Sequence, residues 1–132
     1  MRKCSLESLD KVFAEISKAS ALYMPIDNAE GSAVYTKWTE GAKWSNALNT
    51  VRSPKDFFFP QTENLMELRT EGKNIELIDT RSESEDFVIF GVRACDVKSF
   101  EILDRVFLSE PVDSFYASRR EHGVIGFFHY IH

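Results

Sequence analysis

The chain has 132 residues, 43% of them hydrophobic and 13% aromatic, with 16 basic against 21 acidic side chains and a formal charge of −5. That is enough apolar material for one buried core and too little length for two, so a single domain over residues 1–132 is expected and a disordered chain is excluded. An acidic balance without a basic tract argues against nucleic-acid binding. No apolar run approaches the roughly 20 residues that span a bilayer, and residues 1–13 lack the apolar stretch of a signal peptide, so a cytoplasmic domain with no membrane span is expected.

Residues 5–20 predict a helix, because Leu6, Leu9, Phe13 and Ile16 recur at steps of three and four, with Ser5 as its N-cap. Residues 21–26 read as a strand or extended arm, 27–32 as a loop around Gly31, and 33–38 as an alternating strand. Over 39–52 a short helix would let Trp44, Ala47 and Leu48 face a core. Ser53 then caps a single turn that starts at Pro54 and stops at Pro60, enclosing Phe57, Phe58 and Phe59. Residues 65–69 and 75–79 flank Glu71-Gly72-Lys73-Asn74 and predict a hairpin. An acidic loop over 82–86 leads to residues 86–92, the clearest buried strand, apolar on successive residues as in a parallel sheet.

Residues 96–108 read as a helix with Val97, Phe100, Ile102, Leu103 and Phe107 on its apolar face, and Pro111 ends it. A short helix over 113–121 and a strand over 124–131 complete the chain. The last elements form a C-terminal strand–helix–strand unit, whose strands are then parallel with a right-handed crossover. The expected fold class is α/β (or α+β), a mixed sheet with helices packed on it.

Two cysteines, Cys4 and Cys95, make no disulfide framework, and there is no CxxC or HExxH. A cubane cluster takes four thiolates, so no standard ferredoxin cluster is expected in this chain alone. The best candidate for chemistry is the junction Gly91-Val92-Arg93-Ala94-Cys95-Asp96. Ligands bind at the carboxyl ends of strands in such sheets. Asp96 is placed to cap the following helix, and Cys95 would sit just before its positive end beside Arg93, where a thiolate is favoured. The plainer alternative is a half-buried cysteine in a tight turn with Arg93 paired to a carboxylate. The three phenylalanines either stack on a flat cofactor or anchor their loop in the core, the commoner role. Gln61 and Glu63 are expected to reach backbone amides. Arg119 and Arg120 either clamp a phosphate or carboxylate or lie on a solvated helix face, the stronger expectation. His129 and His132 have no third ligand nearby, and no Walker loop, dinucleotide fingerprint or Ser-His-Asp order occurs.

The series SPKDFFFPQTENLMEL, then FVIFGVRACDVKSFEILDRVFL, then Tyr116 through Arg119-Arg120-Glu121 and a strand resembles the N-terminal region of the A-type subunits of anaerobic sulfite reductase and of the related sulfhydrogenase beta subunits. The resemblance covers roughly residues 50–126. It is most specific at Arg93, Cys95, Asp96, Asp104 and Phe107, while residues 1–45 carry no diagnostic motif. It implies an iron–sulfur electron-transfer subunit that passes electrons through 4Fe-4S clusters between a flavin- or NAD(P)H-handling partner and a catalytic redox subunit. The family pattern places a cysteine-rich loop after the strand matching residues 124–126, followed by a dicluster domain. This chain reads Phe127-Phe128-His129-Tyr130-Ile131-His132 there. The expectation is therefore an accessory scaffold without independent catalysis and without a cluster of its own. Gly91, Arg93, Cys95 and Asp96 are the candidate cofactor-side residues. Cys95 becomes a metal ligand only alongside a cysteine-rich segment. Two alternatives stand beside this: a nucleotide- or anion-binding module at residues 91–96, and a protein-interaction domain that hides exposed aromatics in a homo-oligomer.

Overall fold

The computed structural model describes residues 6–47 and 49–127. In chain order it contains α1 (Leu6–Ala19), β1 (Ala21–Asp27), β2 (Ala33–Lys37), a 3₁₀ turn at Pro54–Phe57, β3 (Met66–Glu71), β4 (Asn74–Asp79), a second 3₁₀ turn at Thr80–Glu83, β5 (Phe87–Val92), α2 (Ala94–Phe107), α3 (Ser114–His122) and β6 (Gly123–Phe127). The expected α/β class and mixed sheet are what the chain forms. Four strands lie in the order β2-β1-β5-β6, with β1 antiparallel to β2 and β5 parallel to both β1 and β6. The C-terminal unit is a strand–helix–strand crossover as expected, with α2 and α3 both inside the connection.

Alternation along the strands divides the core in two. Leu22 and Met24 of β1, with Val88 and Phe90 of β5, face α1 and meet Phe13 and Trp38. Ile89 of β5 faces the other way and joins Phe58, Phe100 and Tyr116 beneath α2 and α3. Strict alternation would leave Val92 on the α1 face. The register with β6 slips between Phe90 and Val92, and this bulge returns Val92 to the Ile89 side, where it is buried.

The turn around the three phenylalanines forms as expected. Ser53 Oγ accepts from the Lys55 amide at 3.3 Å and Pro54 opens the turn. Phe58 is fully buried against Phe87 and Phe100, and Phe57 packs on Tyr23 and Tyr35. Phe59 lies half-exposed, stacked on Phe107. Phe57 and Phe58 anchor the turn in the core, while Phe59 covers Phe107 at the surface. The hairpin β3–β4 also forms, with Gly72 at φ +63°, as a separate two-stranded sheet.

Four expectations are corrected. Residues 39–47 and 49–52 form no helix; they run as an extended loop with bridges Ile26–Trp44 and Ala33–Thr50. The Ser45 amide donates to the Pro25 carbonyl at 2.9 Å, so strand-like pairing to β1 outcompetes local helix, and Ala47 is exposed. Ile102 lies on the outer face of α2, more than half exposed, because the inward stripe runs through Val97, Phe100, Leu103 and Phe107. Arg119 and Arg120 are not solvated. Each is about three-quarters buried, Arg119 in an ion pair with Glu63 and Arg120 with Asp104. Glu63 thus meets a guanidinium rather than backbone amides. Cys4, Ser5, Leu48, His129 and His132 lie outside the described residues.

Candidate functional site

At the carboxyl end of β5 the chain passes into α2 with no intervening loop. Gly91 takes φ +82°, a conformation an L side chain rarely adopts, and its missing Cβ makes room for the Trp44 ring. The turn opens onto a cleft of about 670 Å³ between the 44–50 loop and the start of α2. Gly91, Arg93, Cys95 and Asp96, the four residues expected from the sequence, all line it.

Two of them sit differently from the expectation: Asp96 is not the cap of α2, and Cys95 lies inside the helix rather than just before it. Arg93 occupies the cap position through its backbone, with φ −85° and ψ 157° and no side-chain cap bond, and its carbonyl accepts from the Val97 amide at 2.9 Å. The helix starts earlier than a cap at Asp96 would allow, because the Gly91 bulge delivers the chain directly into it. Asp96 is left inside the first turn, where its negative charge suits the positive helix end. Its carboxylate accepts from Ser53 Oγ at 3.2 Å, tying α2 to the phenylalanine turn.

Cys95 also lies within the first turn of α2, and it is exposed to solvent at the cleft. The Arg93 guanidinium is engaged by the 44–50 loop, donating to Asn49 Oδ1 at 2.7 Å and to the Ala47 carbonyl at 3.5 Å. Arg93 is therefore paired with an amide and a carbonyl rather than with a carboxylate.

Sequence reasoning missed Tyr35, whose hydroxyl donates to the Gly91 carbonyl at 3.2 Å. Burial pushes the Tyr35 hydroxyl up to about 12; the Asp96 charge adds to the rise and the Arg93 charge opposes it. It is a fixed neutral donor that holds the bulge in place. No local pattern announces it, since its partner is 56 positions away.

Chemically, the cleft offers a thiol, a carboxylate, a neutral phenol and an arginine already engaged. Iron–sulfur ligation is the test the resemblance invites. Among the described residues Cys95 is the one free cysteine, and no three His, Cys, Asp or Glu side chains come together to hold a metal. A cubane takes four thiolates, so the described residues do not fit one on their own.

A second, polar cleft of about 360 Å³ includes Thr62, Asn64, Arg81, Ser84 and Arg119 in its lining. Its arginines are held by Asp79 and Glu63, which leaves little charge for a ligand.

No family model matches the chain, and no solved structure matches it significantly. A curated relative does match: sulfhydrogenase 2 subunit beta of Pyrococcus furiosus, 36% identical over 76 residues. The match takes in 58% of this chain and 21% of that protein, so it spans about a fifth of the relative's length. It is a partial match to the family that the strand–helix motif resembles. No helix among the described residues is long and apolar enough to cross a membrane.

Proposed function

We propose that this chain is an accessory scaffold of an iron–sulfur electron-transfer subunit in a hydrogenase or reductase complex, without catalysis of its own. The 36% identity to a protein named as a sulfhydrogenase subunit carries the reading. The geometry is compatible with it. The cleft at the start of α2 presents one exposed thiol on a rigid helix start, and its acid and arginine already have partners. Such a thiol is suited to sit beside a cluster held by other segments, with Gly91, Arg93 and Asp96 shaping the turn that presents it. The partners expected from the resemblance are one subunit that handles flavin or NAD(P)H and another that carries the catalytic redox centre.

The test is iron analysis and visible absorption of the anaerobically purified chain, alone and co-expressed with hydrogenase-type subunits. A colourless chain that co-purifies with those subunits supports the scaffold reading. A full cubane's iron on the isolated chain overturns it.

The second reading is an anion or nucleotide module in the same cleft, favoured by Arg93 at the carboxyl end of β5. The Asp96 carboxylate works against it, because it already occupies the positive end of α2. Thermal shifts with flavins, nicotinamide nucleotides and inorganic anions discriminate, since a bound ligand raises the melting temperature.

A further inference from the structure

The hairpin β3–β4 stands apart from the four-stranded sheet, and its pairing sorts its side chains by chemistry. Residues directly opposite share a face, so Met66, Leu68, Thr70, Ile75, Leu77 and Asp79 lie on one side, and Glu67, Arg69, Glu71, Asn74, Glu76 and Ile78 on the other. Met66, Leu68, Ile75 and Leu77 are exposed by 70, 59, 69 and 66%. The charged side is ordinary solvent-facing surface. The apolar side is not, since four adjacent large side chains form a patch of the few-hundred-Å² size that marks interaction surfaces. A two-stranded hairpin with both faces in water is also marginal by itself.

We propose that this apolar face packs against the same face of a second copy of the chain. Three observations choose that occupant. The one charge on the face, Asp79, is already paired with Arg81, so stacking two copies brings no like charges together. The charges that would repel, Glu67, Glu71 and Glu76, point to the opposite side. The face is also self-complementary. Leu68 and Leu77 pair at its middle, and a two-fold axis in the plane of contact, along or across the strands, puts both leucines of each copy at the centre of the interface. The inference stands independently of the cleft and of the scaffold reading.

Sedimentation equilibrium of the full chain over a dilution series tests it. The wild-type chain is expected to sediment as a dimer, and Leu68→Glu and Leu68→Lys each as a monomer. Mixing the two variants is expected to restore the dimer, because the opposite charges then meet at the centre; a chain that had simply unfolded would not recover. A wild-type monomer throughout, or a Leu68→Glu chain that remains dimeric, overturns the proposal.

Discussion

Gly91 and Trp44 share one volume: a Cβ placed on Gly91 would lie 2.0 Å from the Trp44 ring. The backbone there also has φ +82°. Gly91→Ala therefore combines a left-handed alanine with an overpacked ring, together about 2–4 kcal/mol of lost stability. Urea unfolding measures it. Made in a Trp44→Ala background and compared with that single variant, Gly91→Ala should cost only the backbone part.

Phe58 and Phe59 are neighbours in sequence with unlike surroundings. Phe58 is fully buried, edge-on to Phe100 at 5.1 Å, with the Arg120 guanidinium 5.0 Å above its ring. Phe58→Ala is expected to cost about 3–5 kcal/mol. Phe59 is 49% exposed and stacks on Phe107 at 4.7 Å, so Phe59→Ala should cost about 0.5–1.5 kcal/mol. Equal losses in denaturant melts would contradict the anchor role assigned to Phe58.

The legible parts of this fold are those with local causes. The apolar run of β5, the Ser53-Pro54 turn and the Glu71–Asn74 turn each carry their own instructions, and each element forms where the pattern placed it. The 39–52 segment carried none, because its conformation is set by β1 through the Ser45–Pro25 and Trp44–Ile26 pairings. The candidate site was half legible for the same reason. The strand–helix junction named Gly91, Arg93, Cys95 and Asp96 together, but Asp96 finds Ser53 across 43 positions and Tyr35 finds Gly91 across 56. Periodicity holds no trace of bonds at such separations.

Asp104 joins α2 to α3. Its carboxylate accepts from Arg120 Nε at 2.8 Å, from Arg120 Nη2 at 2.9 Å and from the Tyr116 hydroxyl at 2.7 Å. The Arg120 hydrogen bonds hold the Asp104 carboxyl below its ordinary value. A depressed folded pKa contributes stability that is present above the unfolded value of about 3.9 and lost as pH falls through the folded value. Asp104→Ala leaves a largely buried guanidinium and a buried hydroxyl without their acceptor, at about 2–4 kcal/mol near neutral pH. The gap between wild type and variant should be constant above about pH 5 and narrow below about pH 4. A gap that does not change down to about pH 2 would show that the carboxylate's charge is not what stabilises the pair.

Tyr35 reports on the electrostatics of the cleft. Its hydroxyl is raised to about 12, chiefly by burial, with Asp96 pushing it up and Arg93 pulling it down. The folded state thus disfavours the tyrosinate, while the unfolded chain ionises near its usual value of about 10. Tyr35 therefore costs the fold nothing below about pH 10 and erodes stability as pH rises beyond it. Ultraviolet titration of the native chain should show a phenol ionising near 12 that is missing in Tyr35→Phe. Asp96→Asn should shift that ionisation down and Arg93→Gln should shift it up. If neither substitution moves it, the Asp96 and Arg93 charges do not reach the Tyr35 hydroxyl, and the cleft lacks the coupled arrangement described for it.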